Sequence, residues 1–248
     1  MNIRLKSLHL IPNKAACISL PSGKLLINTI NAHSYNVARQ DEAFAEALTK
    51  CDILVPDGAS IVKACQWINA LSRPTERCAG WDLFEIEMQR LQQEAEACGR
   101  KKVMFVGSSE KVLGLIRERA TQDYPDLEVV TLSPPYVKDF SEEQSREMVE
   151  AINAADPDLL WIGMTAPKQE KWTYQHWKEL NIHCHCGCIG AVFDFYAGTT
   201  KRAPLWWQRH GLEWLHRLIS EPRRMWRRYL IGNTKFLWYM LGEKFSRQ

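Results

Sequence analysis

Short β-branched and apolar runs alternate with helical segments through the first two hundred residues, and this alternation restricts the fold more than any other feature. Residues 24–30 (KLLINTI), 53–55, 102–106, 127–132, 158–162 (DLLWI) and 183–189 read as strands. Between them, residues 34–49, 60–71, 83–98, 109–122, 141–154 and 168–180 repeat apolar side chains at helical spacing. Strands that are apolar throughout, each followed by a helix, predict an α/β fold, a parallel sheet flanked by helices on both faces. In such sheets ligands bind beyond the carboxyl ends of the strands.

The chain has 248 residues, near the upper end of what one hydrophobic core holds. No run approaches the roughly 20 uncharged apolar residues that span a bilayer, so no membrane-spanning helix is expected. The N-terminal segment lacks the pattern of a secretion signal, which predicts a cytoplasmic protein. Eight cysteines fit a reducing compartment, with Cys17, Cys51, Cys65, Cys78 and Cys98 scattered singly among apolar neighbours as core thiols.

The formal charge of +3 conceals an asymmetry. Residues 201–248 hold eleven Lys and Arg against three Asp and Glu, and five of the ten tryptophans. An anionic, partly apolar partner is the natural reading of that tail. The division predicts a body over residues 1–200 and a basic, aromatic helical appendage over 201–248.

Four polar clusters fall at predicted strand ends: Asn28, Thr29 and Asn31; Pro56-Asp57-Gly58; Gly107-Ser108-Ser109; and residues 163–170 (GMTAPKQE). They are expected to converge on one cleft. Gly107 before two serines offers backbone N–H groups to an anion, though a serine N-cap explains it as well. Neither a dinucleotide fingerprint nor a Walker sequence is present. Asp57 is either a general base or the cap of the following helix. Lys168, Gln169 and Glu170 read first as a helix start with a solvated lysine.

The run His183-Cys184-His185-Cys186-Gly187-Cys188 contains zinc-ligating residue types. On a strand, however, alternate cysteines lie about 7 Å apart along one face, too far to close a tetrahedral site. Buried thiols and no metal site are expected, and no cofactor is required.

In the tail, Trp207, Trp214, Leu215 and Leu218 share helical spacing up to Pro222, after which a second helix is expected to run to about Lys244. Trp226, Tyr229, Leu230 and Leu237 fall on one side of it, with Arg224, Arg227 and Arg228 towards the other. Docking to a membrane surface ranks first for this helix, packing on the body second and nucleic-acid binding last.

Taken together, TINA, VPDG, RCAGWDLFE, FVGSS, TAPKQEKW, GAVFDFYAGTTKRAP and GLEWLHRLISEPRR, in that order from Leu25 to Arg228, resemble the WecG/TagA/CpsF family of bacterial glycosyltransferases (glycosyltransferase family 26). The resemblance implies a Rossmann-like domain and an inverting, metal-independent transfer. The donor would be a UDP-sugar, and the acceptor a saccharide carried on undecaprenyl diphosphate at the cytoplasmic face of the inner membrane. Cell-surface polysaccharide synthesis is the implied setting.

The resemblance also assigns residues. Asp57 matches the catalytic base, which takes the acceptor hydroxyl proton, and Thr29 and Asn31 match a Thr-x-Asn at the active site. Gly107, Lys168, Gln169 and Asp194 match the nucleotide-sugar pocket, with Arg77 and Asp82 nearby, and Gly58 of the VPDG motif counts among the substrate-binding residues. Arg217, Arg224 and Arg227 match tail arginines that reach the acceptor diphosphate or the departing UDP. His33 stands where the family often carries glutamate. A nucleotide-binding subunit recruited to the membrane without turnover is the alternative, no nucleic-acid partner is expected, and a homo-oligomer is compatible with the sequence.

Overall fold

The computed structural model describes residues 3–246, and of Arg209 and Arg224 the backbone only. Its strands are β1 (Leu25–Ile30), β2 (Ile53–Pro56), β3 (Lys101–Gly107), β4 (Leu127–Leu132), β5 (Leu159–Gly163) and β6 (His185–Cys188). They form one sheet in the order β2-β1-β6-β5-β3-β4. Every adjacent pair is parallel, as the alternation predicts.

The helices of the body are α1 (Lys14–Ile18), α2 (Ala32–Ala38), α3 (Glu42–Thr49), α4 (Ala59–Trp67), α5 (Gly80–Cys98), α6 (Glu110–Asp123), α7 (Glu142–Ala155), α8 (Lys168–His176) and α9 (Val192–Tyr196). Successive strand residues point to opposite faces, and β3 shows the result. Val103 and Phe105 join the core under α1, α5, α6 and α9, around Phe84 and Trp161. Met104 and Val106 join the opposite core under α7 and α8. A third cluster lies under α2, α3 and α4, around Tyr35 and Phe44.

The single helix expected over 34–49 is two. Asp41 breaks it, because its carboxylate accepts from Phe44 N–H at 3.0 Å and caps the start of α3. Cys184, Cys186 and Cys188 are buried together with Met148 and Trp172, as the strand spacing predicts. Cys98 is exposed rather than a core thiol, since it is the last residue of α5.

The appendage consists of α10 (Leu205–Arg209), α11 (Glu213–Ser220) and a long helix assembled from α12 (Pro222–Trp226), a π-helical turn (Arg227–Ile231) and α13 (Gly232–Phe245). The helix expected to run unbroken to Pro222 is interrupted at Gly211. That residue has φ +68°, a left-handed conformation that favours glycine, and a Cβ there would meet the Ala59 Cβ at 3.1 Å. The break therefore seats the appendage against the start of α4.

One face of α13 belongs to the core. Phe236 and Met240 are buried with the α2 and α4 side chains, contributing roughly 1.5–3 kcal/mol each. Glu243 on the same face accepts Leu5 N–H at 2.9 Å, Lys6 N–H at 2.7 Å and the Tyr35 hydroxyl. The other face leaves Leu237, Trp238, Leu241 and Phe245 exposed. Body packing and an unpartnered apolar face thus coexist on one helix. No helix among the described residues is long and apolar enough to cross a membrane.

Candidate active site

β1 runs into α2 on one face of the sheet, while its neighbour β6 leads to α9 on the other, so the chain parts between their carboxyl ends. A cleft of about 640 Å³ opens there, roofed by the appendage. Thr29, Asn31, Asp57, Gly58, Arg77 and Arg217 all line it.

Asp57 follows β2, and its backbone N–H donates to the Ile30 carbonyl at 2.9 Å, tying the ends of β1 and β2 together. The cap of α4 is Gly58, without a side-chain cap bond. The Asp57 carboxylate is therefore not spent on capping the helix. Burial pushes this carboxyl up to about 6, and the negative charge of Glu213 adds to the rise. Arg77, Arg217 and a hydrogen bond from Asn31 act in the opposite direction.

Asn31 is oriented by its own helix. Its Oδ1 accepts from His33 N–H and Ser34 N–H, both at 3.0 Å, while Ser34 Oγ accepts from the Asn31 N–H at 2.8 Å. With the oxygen committed to this capping box, the amide nitrogen is the end left to donate to Asp57. His33 also lines the cleft, and burial together with Arg228 lowers its ring to about 4, keeping it neutral near pH 7.

Charge in the cleft is unbalanced. Lys63, Arg77, Arg202, Arg217 and Arg228 line it against the two carboxylates Asp57 and Glu213. Glu213 accepts from Arg77 and lies 3.7 Å from Arg202 Nε, so it organises two of the cations. Arg217 stacks over Phe195 with its guanidinium 5.0 Å from the ring centroid. Such a lining suits a diphosphate. Among the described residues, no group of three His, Cys, Asp or Glu side chains is arranged to hold a metal ion.

Other candidates lie outside this cleft. Asp82 accepts from Ala79 N–H at 2.8 Å and pairs with Lys14 at 3.0 Å, fixing the start of α5. Gly107, φ +126°, approaches β5 so closely that a Cβ would fall 2.4 Å from the Gly163 carbonyl oxygen. Ser109 caps α6. Lys168 donates to the Val137 carbonyl and covers Phe140. Gln169 Oε1 accepts from Met164 N–H at 3.1 Å and sits behind Gly190, one residue from the cleft wall at Ile189 and Ala191. The main-chain carbonyl of Asp194 accepts from Thr199 Oγ1 and Thr200 N–H, ordering the turn that leads to the appendage. Arg227 is exposed over Trp226, and the Arg224 side chain lies outside the described residues.

Arg202, Glu213, Arg228, Trp214 and Tyr229 line the cleft without having been singled out for it by the sequence. Arg228 and Tyr229 belong to the π turn itself, which lines the cleft. One extra residue in a turn rotates the residues after it by about 100°, so a face read at ordinary helical spacing along α13 is displaced. The GLEW motif carried the only signal for Glu213.

The model of the glycosyl transferase WecG/TagA/CpsF family matches residues 9–248. Over 227 residues the chain is 31% identical to an N-acetylglucosaminyldiphosphoundecaprenol N-acetyl-beta-D-mannosaminyltransferase of Bacillus spizizenii, covering 91% of this chain and 79% of that protein. A Bacillus subtilis protein of the same name is 29% identical over 206 residues, covering 83% of this chain and 75% of its own. With its parallel sheet and the strand-end motifs in family order, the chain belongs to the WecG/TagA/CpsF family and is a glycosyltransferase.

Proposed function

We propose that the protein moves an N-acetylhexosaminyl group, N-acetylmannosaminyl by analogy with the two relatives, from a UDP-sugar to a saccharide on undecaprenyl diphosphate, with inversion. The observation that carries this reading is Asp57, a raised carboxyl with no capping duty in a cleft lined by five cations. At neutral pH a group titrating near 6 is mostly ionised and still basic enough to take a proton.

In the proposed step, an Asp57 oxygen accepts the proton of the acceptor hydroxyl as the hydroxyl oxygen attacks the anomeric carbon. The bond from this carbon to the UDP oxygen breaks, and the pair of electrons leaves with UDP. Arg217 and Arg228 from the appendage, with Arg77 from the body, meet the diphosphate charge through fixed donors. Thr29 and Asn31 orient the reacting groups, and Gly58 starts α4 beside Asp57. Gly107, Gln169 and Asp194 hold the strand ends and turns behind the pocket, Asp82 positions α5, and Lys168 ties the start of α8 to the segment around Val137 and Phe140.

Residues 1–200 would act as the catalytic domain and 201–248 as the docking appendage. Arg227 would face anionic headgroups while Trp238 and Phe245 enter the interface, on the cytoplasmic side of the inner membrane. The test is UDP release from a panel of UDP-sugars with and without N-acetylglucosaminyl-diphosphate-lipid. Release that needs the acceptor supports transfer, and binding of UDP-sugar without turnover would favour a recruited binding subunit instead.

A further inference from the structure

Away from Asp57 the cleft changes character. Its cationic mouth gives way to a groove bordered by α4 and α13. Lys63, Ala64 and Trp67 line one wall, and Phe236, Leu237 and Met240 line the other, the i, i+4 pairs Lys63–Trp67 and Phe236–Met240 each running along one helix. Ala64, Phe236 and Met240 form a buried floor, whereas Trp67 and Leu237 remain 41% and 60% exposed along the rims. Lys244 Nζ stands 4.2 Å from the Trp67 ring centroid at the outer end.

The order of chemistry along this groove identifies an occupant. The cleft's two acidic side chains, Asp57 and Glu213, lie at the arginine end. Beyond it come an aromatic ring, a thioether and aliphatic side chains, with the exposed Lys63 on the α4 wall, and the groove opens beside the exposed apolar face of α13. A diphosphate followed by a hydrocarbon chain has the same order. A nucleobase does not fit, because its carbonyl and N–H groups would go unpaired against Phe236, Leu237 and Met240.

We propose that the α4–α13 groove binds the first isoprene units of the acceptor's polyprenyl chain, leading the carrier from the membrane side to the arginines. This rests on the proposed function, in which the acceptor is a polyprenyl diphosphate. The groove makes the appendage a wall of the lipid site as well as a donor of cations. It also requires α13 to stay seated on the body while the acceptor is bound, which the Glu243 contacts secure.

The test is calorimetric titration of the full-length chain, without membranes, with farnesyl diphosphate below its micellar concentration and with inorganic diphosphate. The wild type should bind farnesyl diphosphate at least about tenfold more tightly. Leu237→Gln and Trp67→Gln, at exposed positions that leave the core intact, should each lose most of that preference and keep the affinity for inorganic diphosphate. Equal affinities in the wild type, or a preference retained by both variants, would overturn the proposal. Neither sugar nor turnover enters this measurement. A farnesyl preference in a protein without acceptor-dependent turnover would therefore overturn the transfer reading alone.

Discussion

Arg77 of the body donates a hydrogen bond to Glu213 of the appendage, 136 residues further along the chain. Glu213 in turn raises the Asp57 carboxyl, so the seating of the appendage and the basicity of the candidate base are coupled. Replacing Glu213 by Gln removes that negative charge. The Asp57 carboxyl should then fall towards its ordinary value, and the acid limb of kcat/KM should move to lower pH. The pH profile of the variant checks this, and an unmoved limb contradicts it.

Asp57 should also cost stability. Its folded-state value of about 6 lies above the ordinary 3.8, so ionisation disfavours the folded state. The penalty is absent below about pH 4, grows between about 4 and 6, and is complete above that interval. Asp57→Asn is expected to be more stable than the wild type at pH 8, by of order 1–3 kcal/mol, with the advantage gone at pH 4. Thermal unfolding at both pH values is the measurement.

Arg217 and Arg228 should act on charge that develops as UDP departs. Replacing either by Gln should lower kcat/KM about 10- to 100-fold, the effect of losing one charge-assisted contact, with thermal stability nearly unchanged. Arg217→Lys should restore only part of it, because an ammonium cannot reproduce a guanidinium fork or its stacking on Phe195. Steady-state kinetics with the acceptor varied separate these outcomes.

The two faces of α13 predict different phenotypes. Trp238→Ser and Phe245→Ser, at exposed positions, should weaken sedimentation with anionic vesicles and leave the melting temperature in place. Glu243→Ala should lower stability by about 2–4 kcal/mol, because the Leu5 and Lys6 N–H groups lose their acceptor. Point replacements are preferable to removing the tail, which would uncover Tyr35 and Leu5.

The strands could be read from sequence because a parallel sheet covered on both faces leaves apolar runs at regular intervals, as in Leu159–Gly163. Strand order leaves no such trace, and it decided the site. The clusters after β1 and β2 meet across adjacent strands, whereas Gly107 and Lys168 follow β3 and β5 on the far side of β6. Asp57 was readable from its turn. Arg202 and Glu213 were not, since pairing across long separations writes no local pattern. Arg228 was read only as part of the basic side of the second tail helix, and periodicity carries no information on which neighbouring element that side meets.

If Asp57 is the base of a lipid-linked sugar transfer, its removal should abolish acceptor-dependent turnover. The most direct measurement is acceptor-dependent UDP release from UDP-N-acetylmannosamine, with N-acetylglucosaminyl-diphosphate-lipid, by the wild type and Asp57→Asn from about pH 5 to 9. Wild-type release should fall away below about pH 6, and Asp57→Asn should lose about 100-fold or more with UDP affinity retained. Undiminished turnover by Asp57→Asn, or a wild-type rate that ignores the acceptor, would contradict it.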